Sequence, residues 1–284
     1  MVCDVRHYES SSSKPHLLLN RDGLLTSSSD GISLLGDAHF PSKVIEVDGT
    51  RGKQIRLWTS LFKDYALLEL SRPPDRSVAI EGLMARLASA FKTDSLFGLF
   101  GTFWGRCLLW RRPQDGVPME RVPQGNFAIK LAPTWSWMAV LGGIDFLSPP
   151  GGEVDWNTSE VVLPPALRRR MTQDQRKTLP QRPADSLAEG DAITARAFRF
   201  AVTSRLHGEQ GLYFDDDTAR AEVQVMAVII CSSQEKDQNM KVHHVLLIMK
   251  AAPSTAPPTY ERIGVGLLPE ACIDRSSGVR IAIG

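Results

Sequence analysis

Between residues 53 and 70 the apolar side chains recur at three- and four-residue spacing. Ile55, Trp58, Phe62 and Tyr65, joined by Leu61 and Leu68, would share one face of a helix. Ser71-Arg-Pro-Pro-Asp75 then reads as a stop followed by a start, because prolines are tolerated in a first turn, an acid suits a helix N-terminus and a hydroxyl can cap it. A second apolar set, Ile80, Leu83, Leu87 and Phe91 with Met84 and Ala88 alongside, keeps the helical period to about residue 91. The two segments are expected to form an antiparallel or angled helix pair.

From Leu96 onward the texture changes to aromatic and β-branched pieces broken by Gly and Pro. This predicts strands over 107–111, 135–140 and 143–147. A second β-rich block follows, with runs at 192–202, 211–214, 222–231, 242–249, 260–268 and 279–283 separated by polar turns, the spacing of an antiparallel sandwich or barrel. The expected fold class is therefore α+β: a helix pair packed on short strands, then a β-rich antiparallel sandwich or barrel-like domain. Residues 1–50 read as an irregular, Ser-rich segment with short strands, 51–148 as the helix pair plus strands, 149–190 as a Pro/Gly/Arg-rich linker or long loop, and 191–284 as the β-rich domain. There is no internal repeat.

Composition narrows the partners. With 43% hydrophobic and 23% charged residues the chain can bury a core, and a net charge of +1 supplies no global field for nucleic acid or an anionic membrane. Cys3, Cys107, Cys231 and Cys272 are scattered without zinc or CxxC spacing and read as reduced, partly buried thiols. The N-terminal residues lack the apolar core of a signal peptide, which points to a cytoplasmic protein, although the abrupt start suggests sequence lost upstream. The greasiest stretch, 96–110, holds three glycines and Arg106 and falls short of the roughly 18–20 apolar residues of a membrane span.

Candidate chemistry is sparse, with no Gly-rich phosphate loop, GxSxG or HExxH. Asp215-Asp216-Asp217 with His207 and Glu209 could supply hard oxygen ligands to a metal in a small hydrolase, but consecutive acids at a strand end more often form a solvated turn. On a strand, only one of His243 and His244 would face inward, and no Ser, Cys or acid in the sequence marks itself as a partner. Arg168, Arg169 and Arg170 with Lys177 read as a solvated linker face. Trp135 and Trp137, two apart on a predicted strand, would share a face, either as core anchors or as an aromatic platform in a β-sandwich binding module.

Taken in order, several blocks resemble the region downstream of the HET domain in fungal heterokaryon-incompatibility proteins. They are Trp58-Thr-Ser-Leu-Phe-Lys-Asp-Tyr65, Pro74-Asp75-Arg76, Ala79-Ile80-Glu81-Gly82-Leu83, Leu99-Phe-Gly-Thr-Phe-Trp104, Leu108-Leu109-Trp110, Ala132-Pro133-Thr134-Trp135-Ser136-Trp137 and Tyr260-Glu261-Arg262-Ile263-Gly264-Val265. The chain departs from the family pattern at Ala66 (usually Ser), Ser71 (usually Thr) and Thr134 (usually Ser). Nothing in residues 1–50 matches the opening motif of the HET domain. The resemblance implies a non-catalytic recognition or regulatory portion with no cofactor or metal, another protein as partner, and a role in non-self recognition and programmed cell death. It also implies that the matched residues are structural.

Overall fold

A computed structural model of the chain describes residues 17–19, 25–27, 50–68, 75–114, 116–123, 132–149, 154–168, 190–201, 211–216, 224–235, 240–251 and 259–284. Two short antiparallel strands, β1 (Leu17–Leu19) and β2 (Leu25–Ser27), precede the helix pair. The pair comprises α1 (Arg51–Ala66), which buries Leu57, Trp58, Phe62 and Ala66, and α2 (Arg76–Ala90), which buries Ile80, Leu83, Met84, Leu87 and Ala88. The α2 stripe is the one the spacing predicts; on α1 Trp58 and Phe62 are buried as predicted, Ile55, Leu61 and Tyr65 are partly buried, and Leu57 and Ala66 join them. The capping differs from expectation: Asp75 stands at the N-cap of α2, but its side chain makes no capping bond. Two cross-helix bonds join the ends instead. Arg76 Nη2 donates to the Ala66 carbonyl at 3.1 Å, and the Tyr65 hydroxyl donates to the Arg76 carbonyl at 2.8 Å.

The short strands that follow are β3 (Ser95–Leu96), β4 (Leu99–Phe100), β5 (Trp110–Arg111), β6 (Glu120–Arg121), β7 (Val140–Leu141) and β8 (Asp145–Phe146), paired β3–β4, β5–β8 and β6–β7. Two predicted strands, 107–111 and 135–140, are only partly so: Trp110–Arg111 and Val140 are strand, but the rest is not. Residues 104–108 form α3 (Trp104–Leu108), because Trp104, Cys107 and Leu108 lie three and four apart and bury one helical side. The stretch 135–140 is a turn running into a 3₁₀ helix, Trp137–Ala139. There the Ser136 hydroxyl accepts from Met138 N–H at 3.0 Å and donates to the Phe97 carbonyl at 2.7 Å, local bonding that competes with a ladder.

The remaining strands, β9 (Asp155–Trp156), β10 (Ile193–Phe200), β11 (Leu212–Phe214), β12 (Met226–Glu235), β13 (Met240–Lys250), β14 (Thr259–Pro269) and β15 (Ile273–Ile283), form a seven-stranded, mainly antiparallel sheet. Its order is β10-β15-β14-β13-β12-β9, with β11 added on β14. Because β10 pairs with both β15 and β12, the ladder closes into a ring of β10, β12, β13, β14 and β15. Residues 154–168, expected within a linker, are instead built in: β9 pairs with β12, and Val161, Leu163 and Leu167 are buried. The other residues of that expected linker up to 189 lie outside the described residues, apart from Pro149.

Both faces are covered over residues 227–232 of β12, 243–248 of β13 and 262–266 of β14, whereas β15 keeps exposed positions such as Asp274, Ser276 and Arg280. Val228, Ile230, Leu246, Ile248, Val265 and Ile281 join one core with Trp58, Phe62, Leu87, Trp110 and Trp137. Ala227, Ile229, Val245, Leu247, Ile263 and Ile273 form a second cluster on the other face. Strict alternation would put residues 263 and 265 on one face, but they belong to different clusters. The register shift between Leu247 and Ile248, opposite Gly264 and Arg262, is a β-bulge at Ile263 that turns Arg262 toward the helix-side core.

Gly264, beside this bulge, is a close-approach position: a Cβ there would lie 2.3 Å from the Tyr213 carbonyl oxygen and 3.0 Å from Phe214 Cα, both backbone atoms of β11. Gly264→Ala is therefore expected to push β11 away from β14 and to lower stability by about 1–3 kcal/mol, measured as the shift in urea unfolding midpoint.

Candidate functional site

Arg262 on β14 has no exposed surface, an unusual setting for an arginine unless it is paired. Its Nη1 donates to Asp215 Oδ2 at 2.7 Å, its Nη2 donates to the Trp110 carbonyl, and its guanidinium lies over the Trp110 ring, 3.1 Å from the centroid. Its own backbone is held as well: Arg262 N–H donates to Thr134 Oγ1 at 3.1 Å, and Arg121 Nη2 donates to the Arg262 carbonyl at 2.5 Å. Burial works against both charges of the pair, pulling Arg262 down to about 9 and pushing Asp215 up, and each is opposed by the other. Two buried atoms are left without hydrogen bonds, Asp215 Oδ1 and Arg262 Nε. Asp215 and Asp216 also line a cleft of about 450 Å³ with Met119, Glu120, Arg121 and Glu261.

The other motif residues lie mostly in the shared core, and of them Trp110 touches the pair. Trp58 packs edge-on against Phe146 at 5.1 Å and lies near Phe62, Phe100 and Phe103. Tyr65 meets Trp137, over whose ring Arg76 sits at 5.3 Å, and burial lowers Arg76 to about 10. Trp104 packs on Trp156. Trp110 Nε1 donates to the Trp135 carbonyl at 2.9 Å, and Trp135 Nε1 donates to the Asp191 carbonyl at 3.0 Å. The Pro133 carbonyl accepts from Ser136 N–H, and Tyr260 pairs with the end of β15, its carbonyl accepting from Gly284 N–H. Gly82 is the exception: it is exposed, with nothing within 4 Å of a would-be Cβ.

Trp104, Trp110, Trp135 and Trp137 are all 4% exposed or less, so they are not available as an aromatic platform. Trp135 and Trp137 do not share a strand face, because the Ser136 turn separates them.

The metal-hydrolase grouping does not assemble either. Asp215 is committed to Arg262 near Ile263, whereas His244 pairs across from Leu267, four residues along β14 and hence ~13 Å away. His207, Glu209 and Asp217 lie outside the described residues, as do Arg169, Arg170 and Lys177, and no group of three or more metal-ligating side chains occurs among the described residues.

The histidine pair departs from expectation in a second way: both are buried, because both sheet faces are covered. His243 lies opposite Ser232 in the β12–β13 register, and His244 opposite Cys231. Ser232 Oγ bonds His243 Nδ1 at 2.8 Å, His243 Nε2 bonds Glu270 Oε2 at 2.5 Å, and Arg275 grips Glu270 through Nε and Nη2. Serine, histidine and acid in sequence is the order nucleophilic catalysis uses. Here it meets the needs of a buried imidazole at both nitrogens, and Ser232 is only 8% exposed. Sequence reading missed this set because its members are brought together by strand register, over 11 and 27 residues. Arg262 carried a legible signal, a charge inside an apolar strand, which demands a buried partner.

His244 has no such partners, since its Nδ1 makes no hydrogen bond. Burial, reinforced by Arg106 and His243, lowers it to about 4. Cys107 and Cys231 are raised to about 12 by burial, and with Cys272 they are free, buried thiols. No described helix is long and apolar enough to cross a membrane. No family model matches the chain, and neither does any curated protein or solved structure.

Two outcomes follow from these environments. Asp215→Asn and Arg262→Met should each cost about 3–5 kcal/mol by stranding a buried partner, while the double variant should cost clearly less than their sum in a urea-denaturation cycle. Acid should destabilise the fold through His244. Above its unfolded pKa near 6.5 the imidazole is neutral in both states; as pH falls toward 4 only the unfolded chain takes the proton, removing roughly 3 kcal/mol. His244→Leu should flatten stability between pH 7 and 4, read from urea midpoints at each pH.

Proposed function

We propose that the chain is the non-catalytic recognition or regulatory portion of a fungal HET-type protein, serving non-self recognition that leads to programmed cell death, with another protein as its partner. The observation that carries this reading is where the motif residues go. Trp58, Arg76, Trp110, Trp135, Trp137 and Arg262 are buried in one interior, and their bonds link the helix pair, the short strands and β14 to one another. Residues so interlocked specify a shared scaffold, and a scaffold signature is what a family would keep in its recognition half. The ring N–H bonds of Trp110 and Trp135 and the salt bridge of Arg262 are used internally, which suits support better than turnover.

Expression of the chain alone in a filamentous fungal host is expected to leave viability unchanged. Joined behind a HET-type effector domain, it should alter that domain's killing, and a Trp110→Ala version should not. Autonomous killing by the chain alone would overturn the reading.

A further inference from the structure

Arg106 on α3 is a half-buried cation without a counter-ion. Among the described residues its guanidinium makes no hydrogen bond or ion pair, and its nitrogens are not sealed in as Asp215 Oδ1 and His244 Nδ1 are. It lies over the Trp156 ring, 5.6 Å from the centroid. Burial lowers its pKa; Cys231 opposes that shift and Arg51 adds to it. Burial raises Cys231 itself to about 12, so at neutral pH the thiol offers no balancing charge.

The second arginine stands close by. Arg51, the first residue of α1, donates from Nη2 to the Thr102 carbonyl at 3.1 Å and lies over the Phe103 ring at 5.6 Å. Thr102 and Arg106 are four apart along the short helical run 101–108, a spacing that puts Cβ atoms roughly 5–6 Å apart on one side. The platform under Arg106 is fixed as well. Trp156 packs on Trp104, and a Cβ at Gly105 would come 2.1 Å from Trp156 Cζ3, so the indole lies directly on the α3 backbone. Each arginine thus rests its face on a ring and keeps its edge, a fork of N–H donors, for an oxyanion.

We propose that Arg51 and Arg106 together bind a phosphate monoester group. The proposal goes beyond the recognition reading and does not rest on it.

The chemistry favours phosphate over other anions. A carboxylate has one charge and two oxygens, which a single guanidinium fork satisfies. A phosphate monoester carries about −1.5 to −2 charge and three terminal oxygens, enough to engage two forks. A nucleic-acid strand would bring further phosphates, and the exposed Asp155 beside Trp156 would repel them.

Titration calorimetry on the purified full chain should show phenyl phosphate binding at least about tenfold more tightly than benzoate, and more weakly as salt rises. Arg51→Gln and Arg106→Gln should each lose about tenfold in affinity, whereas Lys250→Gln, which removes an exposed charge at the end of β13, should lose none. Without ligand, the urea midpoint of Arg106→Gln should match or exceed that of the wild type, because the charge removed had no partner. Phenyl phosphate should raise the wild-type midpoint and leave that of the variant where it is. Should Arg106→Gln fail to fold, Arg51→Gln, at an exposed position, decides the matter alone.

A phosphoserine peptide that binds more tightly than phenyl phosphate would make a phosphorylated protein the source of the group, and weaker binding a small phosphate ester; both support the site. Equal binding of benzoate, no loss in Arg51→Gln, or an equal loss in Lys250→Gln would overturn it. Far tighter binding of a single-stranded oligouridylate than of phenyl phosphate would also overturn it, by making the ligand a polyanion.

Discussion

The fold hangs on one buried charge. Removing a guanidinium from water costs several kcal/mol even after relaxation, and Arg262 recovers that cost only because Asp215, the Trp110 carbonyl and the Trp110 ring face are all in place. Each of those groups arrives from a different part of the chain. Trp110 comes from the short strands behind the helices, Asp215 from the end of β11, and Thr134 and Arg121 reach the Arg262 backbone from segments between. The arginine therefore gives direction to packing that apolar contacts alone would leave tolerant of slippage.

Around it, the core is conventional in chemistry and continuous in space. Trp58 and Phe62 of α1 meet Phe100 and Phe146 of the short strands, and the same cluster runs on through Trp110 to Val228, Leu246 and Val265 of the sheet. Because the helix-side cluster covers one face of β12 and β13 and a second cluster the other, the buried Ser232 and His243 find partners within the protein. They bond each other, and His243 reaches the half-exposed Glu270, which Arg275 holds.

How much of this was legible follows from the range of the forces involved. The helix pair was readable because its signal is local: Trp58 and Phe62, or Ile80, Leu83 and Leu87, declare their shared face within a few residues. The long strands β13 and β14 were readable from apolar runs bounded by polar turns, Val245 to Met249 and Ile263 to Leu268. Local composition misled where it ran against periodicity, as over 107–111, where aromatic content predicts a strand but Cys107 and Leu108 complete a helix with Trp104 and only Trp110–Arg111 pair as β5. The Trp135–Trp137 segment was misread because a single hydroxyl, Ser136, reorganises the backbone around it. The site itself was least legible. Arg262 and Asp215 are 47 residues apart and Arg262 and Trp110 152 apart, and no pattern in one strand names the partner on another.

The bulge at Ile263 has a consequence for how the protein can come apart. β14 both aims Arg262 into the core and, through Gly264, holds the backbone of β11, the strand that delivers Asp215. The acid is thus moored to the strand that carries its base. β11 is a three-residue strand whose ladder partner among the described residues is β14, the kind of element that ordinarily frays at little cost. Here fraying would strip the counter-ion from a guanidinium sealed in the interior, so the loosest-looking strand is tied energetically to the opening of the whole core.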